Sequence, residues 1–326
     1  MQNFEYANPT TLKEAIALLT ADSAVLAGGT DLISMMKDYL ATPKRVVNIK
    51  GVKELGGITK TAAGLRIGAT VTLDEIAANA LVKASYPSLS TAAMGISSPQ
   101  IRNMGTAGGD LCQRPRCWYF RQGHGLLAVD QNAKALVPGG ENQYHAIFGG
   151  GPAYFVSPSS FGPALAALGA KVKLVSAKYG AREMGIEEFF VTPKNNITRE
   201  TALMPNEVLT EILIPAAPAG SKNATYEIRH KEALDWPLAT ASVVLTMKGS
   251  SVVSAAIVLG HVAPTPWRSA AAEHAITGKS LTSDSAEAAG AAAVADAKPL
   301  SQNGYKVQLA KVAVKRALLA AAGVKG

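Results

Sequence analysis

Two glycine turns constrain this chain more than any other feature. Ala24-Val25-Leu26-Ala27 has the apolar run of a short strand and passes directly into Gly28-Gly29-Thr30-Asp31. Leu32, Ile33, Met35 and Met36 then fall at helical spacing. A strand that hands over to a helix through glycines can turn backbone N–H groups and the helix start toward one anion. A single turn of this kind reads better as a plain connection. Thr106-Ala107-Gly108-Gly109-Asp110 is a second turn of the same chemistry, and the pair together points to a nucleotide ligand. No Gly-Lys-Ser/Thr comes after either turn and neither reads Gly-x-Gly-x-x-Gly, so a kinase-like or Rossmann reading is weak.

The 326 residues are 48% hydrophobic and 17% charged, which is enough apolar material for a folded core and excludes overall disorder. At this length two or three subdomains are expected. Thr11 with Glu14 is a capping-box pair ahead of Leu12, Ile16 and Leu19, which predicts a helix over 11–20. Strands are predicted at 45–49, 64–69, 171–175, 241–247 and 252–259, with a further one ending at 215. Helices are predicted from Thr72, at 163–168, and near 268–277, 285–297 and 305–322. Ala216-Ala217-Pro218-Ala219-Gly220-Ser221 has the composition of a linker and sets the main domain boundary. The stretch 113–152 lacks a period and reads as a long ordered loop or insertion.

Lys and Arg exceed Asp and Glu by 32 to 24, giving +8, but the basic residues form no run, which argues against a nucleic-acid tail. Arg114, Arg116 and Arg121 flank Trp118-Tyr119-Phe120. That cluster is weak evidence for single-stranded nucleic acid and serves equally well as a protein–protein anchor. No basic segment followed by an apolar one opens the chain, and no apolar stretch approaches the roughly 20 residues of a membrane span. A cytoplasmic location is expected, with export alongside a partner left open. Cys112 and Cys117 are the only cysteines, so a disulfide scaffold is excluded and a four-Cys iron–sulfur cluster cannot form within this chain. With His124 or His145 they fit no zinc pattern, so free packed cysteines and no metal are expected. His230, His261 and His274 are isolated, and no nucleophile–base or paired-carboxylate arrangement emerges.

Three longer segments carry a resemblance. Leu26-Ala27-Gly28-Gly29-Thr30-Asp31-Leu32, Gln100 to Leu111, and Gly260-His261-Val262-Ala263-Pro264-Thr265-Pro266-Trp267-Arg268 lie in order along the chain, with Pro299-Leu300-Ser301 and Asn303-Gly304-Tyr305-Lys306-Val307 after them. With these the chain resembles the FAD-binding medium subunit of the molybdenum hydroxylases: xanthine dehydrogenase, carbon monoxide dehydrogenase and bacterial aldehyde oxidoreductases. The resemblance implies an α+β fold with a two-subdomain FAD-binding domain of the PCMH or vanillyl-alcohol-oxidase type over 1–220 (subdomains 1–55 and 56–215). A small α+β domain over 221–326 completes it. It further implies that the first glycine loop wraps the FAD pyrophosphate and that the second closes over the cofactor from the other side.

On that basis Val25, Leu26, Ala27, Gly28, Gly29, Thr30, Asp31 and Leu32, with Thr106, Ala107, Gly108, Gly109 and Asp110, become the cofactor-contacting residues. Ile96 and Leu209 fall at apolar contacts to flavin or adenine, and Ser160 at a polar one. Trp236, in Asp235-Trp236-Pro237-Leu238, falls beside the isoalloxazine, with an ordinary core or interface tryptophan as the other reading. Two positions depart from the family: Ser160 stands where Asp is common, and Asp110 where Asn is usual. A carboxylate at Asp110 is costly near pyrophosphate unless it meets ribose hydroxyls or backbone N–H groups. The resemblance implies a large molybdopterin-binding partner and a small [2Fe–2S] partner, an insertion that faces partner subunits, and electron transfer through FAD to an external acceptor, with no side chain as catalyst. A self-contained FAD oxidoreductase and a flavin-free scaffold are the alternatives.

Overall fold

The apolar runs of the chain gather into three sheets in a computed structural model, which describes residues 1–195, 199–230 and 234–324. The first sheet is parallel: β1 (Glu5–Ala7), β2 (Ser23–Leu26) and β3 (Arg45–Asn48) lie in the order β1-β3-β2. Parallel neighbours need crossovers, and α1 (Leu12–Ala17) and α2 (Leu32–Lys37) lie in them. Thr11 and Glu14 form the capping box that their spacing predicts, although the helix stops at Ala17. Ala15, Leu19, Val47, Ile49, Val52 and Leu55 are buried between helix and sheet, and Val208 from the next sheet joins them.

The second sheet, β4 (Ile58–Thr61), β5 (Gly64–Gly68), β6 (Lys171–Ser176), β7 (Gly180–Gly185) and β8 (Glu207–Pro215), is antiparallel in the order β4-β5-β8-β6-β7. Between β5 and β6 come α3 (Leu73–Ala78), α4 (Ala80–Ser85), α5 (Pro87–Gly95), α6 (Pro99–Met104), α7 (Ala107–Cys112), the single turn α8 (Trp118–Arg121) and α9 (Phe161–Ala167). The turn α10 (Ile186–Phe189) comes after β7. The third sheet, β9 (Ser221–Ile228), β10 (Ala239–Lys248), β11 (Ser251–Gly260) and β12 (Trp267–Arg268), is antiparallel in the order β12-β11-β10-β9. Its own helices α11 (Ala270–Ile276), α12 (Ser283–Ala293) and α13 (Tyr305–Ala322) pack around it, while α5 and α9 of the preceding region also pack against its strands. No helix among the described residues is long and apolar enough to cross a membrane.

The strands β1, β4, β7 and β9, and the two-residue β12, escape the sequence pattern. Strand β7 is a mostly exposed edge, so nothing forces an apolar alternation on it. Strand β9 begins at Ser221, the last residue of the stretch read as a linker, and its buried positions include Asn223 and Thr225. Both are satisfied: Asn223 Oδ1 accepts from Ser88 N at 2.9 Å and its Nδ2 donates to Ser85 O, while Thr225 and Ser242 hydroxyls meet at 2.8 Å. A polar seam thus joins β9 to its neighbours where a hydrophobicity reading finds only connection.

The insertion after α7 is ordered by docking rather than by its own secondary structure. Ile147 N and Phe148 N donate to Val262 O, Ser157 N donates to Ala263 O, and Ile147 and Phe148 are buried in the core of the C-terminal region. Asn142 and Asn303 complete the clasp: Asn142 Oδ1 accepts from Gln302 N at 2.9 Å, and Asn303 Nδ2 donates to His145 O at 3.0 Å.

Candidate functional site

At the first turn the chain leaves β2 and must fold back beneath α6. A Cβ on Gly28 would overlap the Met104 carbonyl, so glycine is required there by close backbone approach. Gly29 has φ +75°, the left-handed region where side chains are strained. The backbone N–H groups of Gly28, Gly29 and Thr30 donate to no group among the described residues. They border a cleft of about 510 Å³ whose walls come from β2, the turn, α7 and the start of β8.

The second turn is built differently. Thr106 is the N-cap of α7 and its Oγ1 accepts from Gly109 N at 3.1 Å. Ala107 N donates to Val71 O at 2.8 Å and Gly108 N to Ala69 O at 2.9 Å. The expectation of two turns with the same chemistry is therefore corrected: the donors of the second are consumed inside the chain. Its glycines serve close packing, since a Cβ on Gly108 would press on Ala69 and one on Gly109 on Thr106 Oγ1.

Of the residues singled out in the sequence, Val25, Ala27, Gly28, Gly29, Thr30, Asp31, Leu32, Thr106, Gly108, Gly109 and Leu209 line this cleft. Ile96, Asp110, Ser160 and Trp236 line a smaller adjoining cavity of about 110 Å³, which shares Thr30, Asp31, Thr106 and Gly109 with the cleft. Leu26 and Ala107 line neither. Ala107, at the first position of α7, is wholly buried in the core.

Asp110 resolves the question its charge raises. It is buried, and its carboxylate accepts from Ser159 Oγ at 2.7 Å, Phe161 N at 3.1 Å and Gln113 Nε2 at 2.9 Å. The carboxylate thus meets a backbone N–H and joins α7 to the start of α9. Burial raises its pKa to about 6 against the opposing pull of these hydrogen bonds. Nearby, Glu227 is pushed up by burial while Arg229, 2.6 Å away, pulls it down. Ser160 is buried at the same wall of the smaller cavity.

Arg116 and Arg229 also line that cavity, and nothing in the sequence pattern marked Arg229. Asp31 turns out to be a hub. Arg116 Nη1 lies 3.1 Å and Arg121 Nη2 2.8 Å from its Oδ1, and Arg114 N donates to Oδ2 at 2.7 Å. Arg116 in turn lies over the Trp236 ring at 4.5 Å, and Arg114 pairs with Glu200. The three arginines of the insertion are engaged within the chain, tying the insertion to the first turn and to Trp236, which is 42% exposed. Trp118 meets Tyr144 and His145 edge-on. Cys112 is a free thiol that burial pushes up to about 12, and Cys117 Sγ lies 3.1 Å from His145 Nε2. Among the described residues no three His, Cys, Asp or Glu side chains converge on a metal-sized site.

Against this geometry, residues 2–217 match the family described as the FAD binding domain in molybdopterin dehydrogenase, and residues 224–321 match the CO dehydrogenase flavoprotein C-terminal domain. The aldehyde oxidoreductase FAD-binding subunit PaoB of Escherichia coli (strain K12) is 31% identical, over 95% of this chain and 96% of its own. The carbon monoxide dehydrogenase medium chain of Hydrogenophaga pseudoflava is 32% identical, over 98% of this chain and 96% of its own. A solved structure of carbon monoxide dehydrogenase from the same organism, lacking the Mo-pyranopterin moiety of its cofactor, superposes with a TM-score of 0.77 at 32% identity, covering 99% of this chain and 98% of the other. The chain belongs to the FAD-binding subunits of the molybdopterin dehydrogenases, an oxidoreductase component of the molybdenum hydroxylase family.

Proposed function

We propose that this chain holds FAD along the cleft and the adjoining cavity, and passes electrons from a [2Fe–2S] partner subunit through the flavin to an external acceptor. The complex would also contain a large molybdopterin-binding subunit, where substrate is oxidised. The observation that carries this reading is the row of N–H groups on Gly28, Gly29 and Thr30, which pair with nothing among the described residues and line a cleft. Unpaired backbone donors in a concave site suit the oxygens of a pyrophosphate. The two cavities meet at Thr30, Asp31, Thr106 and Gly109, which suits a cofactor with two ends joined through a diphosphate.

In this arrangement Gly28 to Thr30 hold the diphosphate, and Gly108 and Gly109 form a smooth wall opposite. Ile96 and Trp236 offer apolar and aromatic surface to the ring system. Arg116 and Arg229 line the same end, each already paired with a carboxylate, Asp31 and Glu227. Bound FAD supplies the redox chemistry, accepting and releasing electrons, while the protein sets its orientation and potential. Asp110 and Asp31 act as positioning residues: one joins α7 to α9, the other fixes the insertion and, through Arg116, Trp236.

The direct test is to purify the chain, record its absorption spectrum and identify the released chromophore, with about one FAD per chain expected for a resident cofactor. A colourless chain that also fails to bind added FAD would favour the scaffold reading.

A further inference from the structure

Two acids are buried beside the smaller cavity. Asp110, on α7, lines it directly, and Glu227, on β9, has a side chain only 8% exposed. Ser160 stands between them, its backbone N–H hydrogen-bonded to Asp110 and its hydroxyl to Glu227. We propose that Asp110 and Glu227 together form a proton-holding site that couples the potential of the bound flavin to pH. The inference rests on the reading of cleft and cavity as a flavin site, and it makes the two acids positioning residues that act through charge.

The surroundings can hold Asp110 in either form. Its Oδ1 accepts from Gln113 Nε2 at 2.9 Å, and Gln113 Oε1 accepts from Arg116 Nη2 at 3.2 Å, which fixes the orientation of the amide. Its Oδ2 accepts from Ser159 Oγ at 2.7 Å and from Phe161 N at 3.1 Å. A hydroxyl can turn from donor to acceptor, so a proton on Oδ2 has Ser159 Oγ to receive it. Asp110 has no ion pair among the described residues, since Arg116 is paired with Asp31 and Arg229 with Glu227. Its negative charge therefore rests on neutral dipoles, and burial raises its pKa to about 6. Burial pushes Glu227 up as well; Arg229 pulls it down, and the charge of Asp110 adds to the push. Two carboxyls that feel one another in this way titrate as a unit.

The other charged groups nearby are already engaged. Helices α5 and α9, packed against β9 and α7 respectively, carry no titratable side chain. Strands β5 and β8, packed against α7, carry Arg66, Glu207 and Glu211, which pair as Arg66 with Glu211 and Arg182 with Glu207. Helix α13, packed on β9, carries Lys306, held by three carbonyls, Lys311 and Lys315, paired with Glu287, and Arg316, bonded to the Tyr226 hydroxyl. Cys112 and His261 lie close enough to feel Asp110 and Arg229, and burial keeps both neutral.

The proton balance is simple. Two electrons arriving from the partner add negative charge to the cavity, which raises the affinity of the neighbouring carboxyls for a proton. That proton comes from water and forms an O–H bond on one carboxylate. When the electrons pass to the acceptor, the O–H bond breaks and the proton returns to water. No bond forms between the carboxyls and the flavin.

The test uses the full chain loaded with FAD, its midpoint potential measured by spectroelectrochemical titration from pH 5 to pH 8 beside Asp110→Asn and Glu227→Gln. At pH 5 the site is protonated in both redox states, and Asp110→Asn is expected to match the unmodified chain. At pH 8 the oxidised site has lost its proton, so the potential of the unmodified chain is expected to lie below that of Asp110→Asn. The expected gap is at least a tenfold change in the reduction equilibrium, about 30 mV for two electrons. Glu227→Gln removes the like charge, and the steep part of its pH dependence is expected to move to lower pH. A merely structural role shifts the potential equally at every pH. A gap between Asp110→Asn and the unmodified chain that is absent or constant with pH overturns the proposal, as does an unmoved pH dependence in Glu227→Gln. Absorption and far-UV dichroism identify a variant that loses FAD or fails to fold, and the other variant then decides. An unmodified chain that never holds FAD overturns the flavin reading itself, which absorption reports separately.

Discussion

The two glycine turns look alike in sequence and do opposite things in the fold. At Gly28-Gly29-Thr30 the backbone donors are left open beside a cleft, and the glycines are demanded by a carbonyl of α6 and by a positive φ. At Thr106 to Gly109 the donors are closed by Val71, Ala69 and the Thr106 hydroxyl. The difference lies in the residue that begins each helix. Thr106 is an N-cap whose hydroxyl reaches the third helical residue, while Asp31, at the N-cap of α2, spends its carboxylate on the insertion and makes no cap. One turn is free to receive an anion because its acidic residue is occupied elsewhere. The other is self-sufficient and serves as wall.

The sharpest way to break this comparison is Gly28→Ala. Its methyl must displace the Met104 backbone, and overpacking of this kind costs about 3 kcal/mol, read as a lower urea midpoint in the cofactor-free chain. Asp31→Ala should come next. Removing the carboxylate leaves Arg116 and Arg121 without their partner, at a cost of about 2 kcal/mol given partial exposure, and opens residues 113–121 to limited proteolysis. Asp110 gives a pH signature of similar or smaller size. Its pKa is raised on folding, so below about pH 4 the carboxyl is protonated in both the folded and the unfolded chain. As pH rises toward about 6 the unfolded chain ionises and the folded one resists, so stability falls over that window and then levels off. Asp110→Asn should remove this slope of about 1–2 kcal/mol from urea titrations at pH 4 and 7. Thr106→Ala is the mildest, losing a cap worth about 1 kcal/mol.

Much of the fold was legible because its signals are local. Capping boxes at Thr11 and Thr72, the apolar alternation of β6, and the long helix α13 all come from residues near one another in sequence. Among the strands that were not legible, β7 is an exposed edge, and β9 buries Asn223, whose partner Ser88 lies more than a hundred residues away. The site divides along the same line. Glycines 28 and 29 announce themselves, and the residues around them were identified through resemblance to a family. The hub at Asp31 could not be foreseen, because its partners lie some eighty to ninety residues along the chain, at Arg114 and Arg121. The arginines that flank Trp118-Tyr119-Phe120 are also engaged by Glu200 and Asp31, and Trp236 owes its cationic neighbour to the same network.

The division of labour between the turns stands most directly on one measurement: the FAD dissociation constant of Gly29→Val and Thr106→Ala, set beside the unmodified chain, with folding checked by dichroism. The open-turn reading predicts that Gly29→Val loses FAD almost entirely, because a side chain at a strained positive φ disturbs the open donors, while Thr106→Ala keeps its affinity within a few-fold. Equal retention by both variants, or a larger loss in Thr106→Ala, would contradict it.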